Sequence, residues 1–447
     1  MVRYLLNWCH KKIYIKPLFI SYLLCVVFFS CTEGKKEQKV LEDTLITDPI
    51  DTFPKPYETK SVKKYSKALG WEEGQMPVAP KGFAVQKFAD KLENPRWIYV
   101  LPNGDILVAE AGTKGTLKKA ASFISGNSKS KLSDGSADRI TLFRDTNKDG
   151  FPDVREEFLK NLNQPLGMLL IENTFYVANT DGVVAFPYTR GQSTITAAGK
   201  KITDLPADGY NNHWTRNLFT NADDSKIYIT VGSSSNVAER GMEDEAMRAN
   251  ILVMNRDGSD KKVYASGLRN PVGAAFAPGT KTIWTVVNER DELGDELVPD
   301  YFTSVKEGGF YGWPYSYWGQ HADPRLEGAG ADLVAKAIVP DVSLGAHTAS
   351  LGLAFYNQKA FPQHYHNGAF IGQHGSWNRS VFSGYKVVFV PFENGKPSGP
   401  VEDFLTGFIA NEEEVYGRPV GVAVLPDGSI LVADDAANTI WRIIATK

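Results

Sequence analysis

The chain has 447 residues, 43% hydrophobic and 23% charged, with 40 Gly, 24 Pro and a formal net charge of -3. That length and balance suffice for the full-sized core of a soluble globular body. A near-neutral charge, with no Lys/Arg stripe and no zinc-finger spacing, offers nucleic acid no footing.

The first thirty residues differ in kind. Arg3, His10, Lys11, Lys12 and Lys16 precede the apolar run LFISYLLCVVFFS at 18–30. Basic, then apolar, then small before a processing point is the order of an export signal. The run is short for a stable spanning helix, which favours cleavage over an uncleaved anchor. Its end, Phe28-Phe29-Ser30-Cys31, resembles a bacterial lipobox, which makes Cys31 the expected lipid-bearing first residue of the mature chain. The body is therefore expected in the bacterial cell envelope, lipid-anchored to the membrane and facing the periplasm. All three cysteines, Cys9, Cys25 and Cys31, lie in this leader. The body thus has no disulfide framework, thiolate metal site or cysteine nucleophile. Residues 32–75, rich in Lys, Glu, Asp, Thr and Pro and without periodicity, suggest a tether or N-terminal strap.

From residue 76 to 447 the pattern is short and repetitive. WIYVLPNGDILVAEAG (97–112), AAFAPGTKTIWTVVNE (274–289) and GVAVLPDGSILVADDAANTIWRI (421–443) each give an apolar strand, a turn and a second strand. Asn103-Gly104 and Asp427-Gly428 supply the positive φ of tight hairpins. Similar openings recur at Asn94-Pro95-Arg96, Gln164-Pro165-Leu166-Gly167, Asn212-His213-Trp214, Asn270-Pro271-Val272-Gly273, Ser350-Leu351-Gly352-Leu353 and Arg418-Pro419-Val420-Gly421. Six openings, about 60 residues apart, predict an all-β, six-bladed β-propeller with four-stranded blades. A β-helix or paired sandwiches would explain the strands but not the shared opening. Polar residues in the openings are expected to converge on the propeller axis.

Taken in chain order, the first candidate site is DTNKDGFPD. Asp145, Asn147, Asp149 and Asp153 have the spacing of an EF-hand-like calcium loop, with Gly150 at the turn. Unpaired carboxylates at that density need a cation or full solvent exposure. His213, in the Asn-rich GYNNHWTRNLFT, has the side chain nearest neutrality for a general base, although a packed or surface histidine would look the same. SGLRNPVGAAF places the donor fork of Arg269 and the amide of Asn270 beside the stiffening Pro271, a group suited to a carboxylate or oxyanion. A blade-connecting ion pair is the plainer alternative. VNERDELGDELVPD, with Asn288 and Glu289, is dense in oxygen ligands for calcium or is a solvated acidic loop. GGFYGWPYSYWG (308–319) offers a flat aromatic wall for a sugar or planar cofactor, or core filling. GQHGSWNRS offers His374 and Arg379 as donors beside small residues, and Arg418 adds a charge at the last opening. No nicotinamide, Walker, zincin or α/β-hydrolase signature occurs.

Together, the His213 opening, SGLRNP, NERDELGDEL, GGFYGWP and GRPVGVAVLPDGSILVADD resemble the soluble sugar dehydrogenases dependent on pyrroloquinoline quinone (PQQ), and more closely their sorbosone dehydrogenase-like branch. The resemblance covers roughly residues 76–445. It implies a propeller holding the tricarboxylated quinone over its channel with Ca2+, His213 as catalytic base and Arg269 polarising the quinone. It further implies Asn270 and Arg418 as cofactor contacts and a calcium loop from Asn288 using mainly backbone carbonyls. The family's cofactor-binding lysine has no equivalent near 372–380, and His374 or Arg379 is the expected replacement. A small-molecule sugar or alcohol is then the substrate. Electrons leave to an external acceptor such as a cytochrome or quinone, since the chain has no C-x-x-C-H haem motif. A non-catalytic carbohydrate-binding or scaffold propeller and a calcium-dependent lactonase-like hydrolase are the competing functions.

Overall fold

The computed structural model describes residues 53–114, 135–326 and 328–446, so the leader, Cys31 and the first part of the tether lie outside the described residues. Within them the chain folds into six four-stranded antiparallel sheets, the blades of a β-propeller. Blade 1 is Pro95–Val100, Ile106–Glu110, Arg139–Arg144 and Val154–Leu159. Blade 2 is Met168–Ile171, Thr174–Asn179, Gly182–Pro187 and Lys200–Asp204. Blade 3 is Leu218–Thr220, Lys226–Val231, Asn250–Asn255 and Lys262–Ser266. Blade 4 is Pro271–Phe276, Ile283–Val287, Pro299–Val305 and Val342–Ala346. Blade 5 is Ser350–Phe355, Ala369–Gln373, Lys386–Val390 and Glu402–Leu405.

Blade 6 closes the ring. Its three inner strands, Pro419–Val424, Ile430–Asp434 and Thr439–Ala445, come from the C-terminal end, and its outer strand, Phe83–Ala89, precedes blade 1. Phe83 pairs with Ala445 and Val85 with Ile443. This join ties the two ends of the propeller together and covers the edge of Thr439–Ala445.

Five of the six openings lie at the start of an innermost strand, with Asn212-His213-Trp214 just ahead of Leu218, and the structure gives a reason for the glycine that four of them carry. A Cβ on Gly352 would stand 1.9 Å from the Val420 carbonyl of blade 6, and one on Gly421 would stand 2.7 Å from the Arg96 carbonyl of blade 1. Gly167 and Gly273 meet the innermost strands of blades 3 and 5 in the same way. The openings thus repeat because neighbouring blades approach backbone to backbone around the axis, where no side chain fits. The predicted hairpin positions hold too: Gly104 has φ 91° and Gly428 φ 84°.

Hydrophobic wedges fill the space between blades. Phe158 and Phe175 meet edge to face at 5.3 Å between blades 1 and 2, and Trp284 meets Phe392 at 5.0 Å between blades 4 and 5. Second strands such as Ile106–Glu110 and Ile430–Asp434 are buried throughout, not alternately, because each has a neighbouring blade on both faces. Outer strands such as Lys200–Asp204 face solvent and keep their charges.

Candidate functional site

The openings converge as expected. A cavity of about 220 Å³ is lined by Arg96 of blade 1, His213 of blade 3, Arg269, Asn270, Asn288 and Asp291 of blade 4, His374 of blade 5 and Arg418 of blade 6. Pro95, Pro271 and Pro419 begin three of the innermost strands, so each neighbouring arginine or asparagine is held by a stiff turn at a strand end.

His213 Nδ1 lies 2.9 Å from the Ser233 carbonyl and 3.0 Å from Ser233 Oγ. Because Ser233 Oγ itself donates to the Ser235 carbonyl at 2.6 Å, Nδ1 carries the hydrogen and Nε2 is the acceptor. Burial, reinforced by the Arg269 charge, lowers the His213 pKa well below its ordinary value. The ring is therefore neutral at physiological pH and able to accept a proton. Gly232 makes room for the arrangement: a Cβ there would lie 2.3 Å from Asn270 Oδ1 and 2.6 Å from His213 Cβ.

Arg269 is 1% exposed. It meets one carboxylate, Asp291 Oδ2 at 3.0 Å, and otherwise neutral oxygens: the Asn236, Asn288 and Glu289 carbonyls at 3.2, 3.2 and 2.5 Å, and the Asn236 and Asn288 side-chain oxygens at 2.9 and 3.3 Å. Burial opposes ionisation of Asp291, but its hydrogen bond to His347 and the charge of Arg269 hold its pKa below the ordinary value. Across the cavity Asp435 is shared by Arg96 Nη1 at 2.5 Å, His374 Nε2 at 2.9 Å and Arg418 Nε at 3.8 Å. Burial would raise the Asp435 pKa, yet His374 and the two arginines hold it far below the carboxylate range. Burial takes His374 down to about 4 despite Asp435, with Arg96 and Arg418 reinforcing the shift. The lining carries three guanidinium groups, the Asp291 carboxylate and two neutral imidazoles, with Asp435 directly behind Arg96, His374 and Arg418 as the second carboxylate.

Several sequence expectations are relocated. Glu289 turns its carboxylate away from the cavity to Arg290 Nε at 2.9 Å, and only its backbone carbonyl faces Arg269. Arg379 is not on the cavity wall and pairs with Glu296 at 2.5 Å. Asp145, Asn147, Asp149 and Asp153 form the exposed hairpin between the outer two strands of blade 1, far in the fold from the axial cavity. Their side-chain oxygens accept the backbone N–H groups of Lys148, Gly150, Asp149, Phe151 and Thr146. Solvent and these donors relieve the carboxylate crowding that suggested a cation, and among the described residues no group of three or more His, Cys, Asp or Glu side chains is arranged to hold a metal. Of the two readings of 308–319, core filling holds: Tyr311, Trp313 and Tyr317 are buried, and Trp313 Nε1 donates to the Asn236 carbonyl at 2.9 Å. The cavity's aromatic lining is Tyr65, Trp214, Trp377 and Tyr385.

Sequence reasoning missed Arg96, Asn236 and Asp435 as site residues and did not single out Asp291 within the acidic run. Arg96 stood in the first opening, directly after Pro95, where Arg418 directly precedes Pro419 in the last; a charge beside an opening proline was the available signal. Asp435 follows a strand whose sequence, ILVAD, echoes ILVAE of blade 1, but nothing local marks which of its two aspartates faces the axis.

A six-bladed propeller with a cationic axial cavity and a neutral, hydrogen-bonded histidine at its wall is the class of protein that fold and site define. The chain belongs to the TrAA12-like family, whose description matches residues 77–300 and 327–446. An uncharacterized protein of Borreliella burgdorferi is 27% identical over 379 residues, covering 82% of this chain and 90% of that protein. The pyrroloquinoline quinone-dependent pyranose dehydrogenase of Coprinopsis cinerea is 24% identical over 442 residues, 83% of this chain and 54% of that enzyme. This chain thus spans about half of that enzyme's length. The holo form of its PQQ domain superposes with a TM-score of 0.65 at 21% identity, covering 83% and 97% of the two chains. The calcium structure of the Trichoderma reesei family AA12 enzyme gives 0.66 at 19% identity, covering 86% and 99%. These superpositions share the propeller fold.

Proposed function

We propose that the chain oxidises a hydroxyl of a sugar, aldose or related alcohol or aldehyde, using pyrroloquinoline quinone and calcium. The observation that carries this reading is the axial cavity with three arginines against two carboxylates beside a neutral histidine. A tricarboxylated, planar cofactor fits that surplus of cationic donors, and buried Arg96 Nε and Asn270 Oδ1 have no hydrogen-bond partner within the protein. Arg96, Arg269, Asn270, His374 and Arg418 are the residues that would hold it, with His374, the one of the two expected lysine replacements that lines the cavity, kept in that role. Arg379, outside the lining, drops from that set. Calcium fits the neutral oxygens of Asn288 and the Glu289 carbonyl, because a carbonyl accepting one bond from Arg269 keeps a second lone pair. The quinone, when bound, supplies the two-electron acceptor for the hydride of the substrate carbon.

The protein's own part is to take the hydroxyl proton on His213 Nε2, the nitrogen left as acceptor by the Ser233 bond. Arg269, buried and anchored by carbonyls, supplies a fixed positive charge near the reacting oxygen atoms. Membership in the sorbosone dehydrogenase-like branch, export to the cell envelope with a lipid on Cys31, and electron delivery to a cytochrome or membrane quinone complete the proposal. The related pyranose and aldose sugar dehydrogenases named for such substrates support the sugar reading.

Calorimetric titration of the purified, metal-depleted chain with the quinone, with and without calcium, tests it. Saturable, calcium-dependent binding at one site is expected, lost in Arg269→Ala. No binding in either condition would overturn the reading and return the chain to a carbohydrate-binding or scaffold propeller, or a lactonase-like hydrolase.

A further inference from the structure

The segment ahead of the propeller does not merely tether it. Residues 57–71 run from the 293–295 loop of blade 4 to blade 6 and pass the axial cavity at Tyr65 and Ser66, fastened at several points. Tyr57 N donates to the Leu293 carbonyl at 2.7 Å, and Ser61 Oγ and Thr59 Oγ1 accept from Gly294 N and Asp295 N. Lys64 N donates to the Trp377 carbonyl at 2.8 Å. Lys67 and Ala68 then pair as a parallel strand with Glu414 and Val415. Trp71 sits against Phe408, Tyr416 and Trp441, and its Nε1 donates to Asp434 Oδ2 at 2.8 Å. The other oxygen of Asp434 receives the backbone N–H of Arg418 at 2.8 Å, so the docking of the strap and the seat of a cavity arginine share one buried carboxylate.

Between those fastenings the strap supplies Tyr65 and Ser66 to the cavity lining. Tyr65 lies parallel to Trp377, 6° between planes and 5.7 Å between centroids. Both rings are only half-buried. Ser66 is 2% exposed, and its hydroxyl meets Tyr385 OH at 3.0 Å. Among the four aromatic side chains of the cavity, Trp214 lies under the Arg96 guanidinium at 5.5 Å and Tyr385 is buried. Tyr65 and Trp377 thus remain as an aligned, partly open pair at the mouth. An aromatic surface beside polar Asn212 and Ser376 matches a ring-shaped polyol, which has an apolar C–H face and hydroxyl edges.

We propose that the strap completes the substrate site: Tyr65, held by Trp377 and by the strap's pairing with blade 6, is a specificity-determining residue that binds the face of a cyclic sugar. The inference rests on the reading of the cavity as an alcohol-oxidising quinone site, but its binding arm can be measured apart from oxidation. A panel of free pyranoses is titrated calorimetrically into the full chain, with and without quinone and calcium, for wild type, Tyr65→Ala and Tyr65→Phe. The same variants are assayed for KM and kcat on the tightest-binding sugar and on ethanol. Circular dichroism and quinone affinity report whether each variant keeps the fold and the cofactor site.

Tyr65→Ala should weaken sugar binding and raise the sugar KM by tenfold or more, with kcat and quinone affinity within twofold of wild type and ethanol kinetics unmoved. Tyr65→Phe should behave as wild type, since the ring face and not the hydroxyl makes the contact. Sugar binding lost in Tyr65→Ala in a chain that binds no quinone would keep the platform and overturn the oxidation reading. Wild type that binds no pyranose, or Tyr65→Ala that binds all of them as wild type does, would overturn the platform.

Discussion

Asp435→Asn is the perturbation that most directly tests the charge balance of the cavity. The carboxylate is 7% exposed at its side chain and lies 2.5 Å from Arg96, 2.9 Å from His374 and 3.8 Å from Arg418. Removing one member of a buried charge set typically costs about 3–5 kcal/mol, because the partners left behind are buried and uncompensated. Asparagine keeps one acceptor oxygen, so the lower end, about 3 kcal/mol, is expected. With a urea dependence of about 3 kcal/mol per molar, that moves the unfolding midpoint down by about 1 M. The exposed Lys63–Glu292 pair, at 3.1 Å with side chains 61% and 47% exposed, is the control. Glu292→Gln should shift the midpoint by no more than about 0.3 M, the range of a surface ion pair. The acid limb provides a sign check: a carboxyl held below its unfolded value of about 3.9 contributes stability above that pH and loses it as pH falls toward the folded value. Asp435→Asn should therefore flatten the loss of stability below about pH 4. Saturating quinone should restore part of the deficit, since its carboxylates can answer the two arginines left without Asp435. A midpoint no lower than that of the control would refute the assignment of Asp435 as the counter-charge.

His213→Gln should lower kcat by roughly 10²–10⁴ while leaving quinone affinity within a few-fold, read by steady-state kinetics and calorimetry. For the wild type, the lowered basicity of His213 keeps it proton-accepting below pH 6.5, so kcat/KM should hold its plateau through pH 6.5 and fall only below it. A limb centred at or above 6.5 would contradict the neutral assignment. Gly232→Ala inserts a methyl 2.3 Å from Asn270 Oδ1 and should cost about 1–3 kcal/mol by overpacking, with a fall in kcat as His213 shifts, seen in urea melts and kinetics. Asp145→Asn combined with Asp149→Asn, in the exposed blade 1 hairpin, should leave the calcium dependence of quinone binding unchanged in titration. Loss of that dependence would make the hairpin a calcium site after all.

The fold was legible because its determinant is local and repeated. Four of the six openings carry a glycine where neighbouring innermost strands touch, as at Gly352 against Val420, and the tight hairpins need a positive φ, as at Gly104. The ring closure was less legible, since the pairing of Phe83 with Ala445 joins segments more than 350 residues apart and carries no marker beyond alternation. In the site, His213, Arg269, Asn270 and Arg418 stood out because they adjoin the openings. Asp291 and Glu289 sit two residues apart in the same acidic run, yet one faces the cavity and the other faces Arg290. Composition cannot separate them, because the direction is set by packing against blade 5 and the 314–325 loop. The aromatic run 308–319 stayed open between two readings for the same reason: aromatic content is equally suited to core packing and to a binding wall.

The way the arginines are kept charged bears on what the cavity can bind. A buried guanidinium needs acceptors, and carboxylates would cancel its field. Arg269 solves this with five contacts to neutral oxygens and a single carboxylate. Arg216, fully buried behind His213, donates to the carbonyls of His213, Thr215 and Pro206 and to Asn211 Oδ1. Burial, with Arg248 adding to it, lowers the Arg216 pKa to about 9, which still leaves it charged at neutral pH. Oxygen dipoles hold both cations in place without neutralising them, so positive potential persists at the His213 end of the cavity. That potential favours an anionic ligand and any oxygen that gains negative charge there, and it adds to burial in keeping the His213 imidazole neutral. Attraction of the anion and readiness of the base thus follow from the same solvation of arginine by backbone carbonyls.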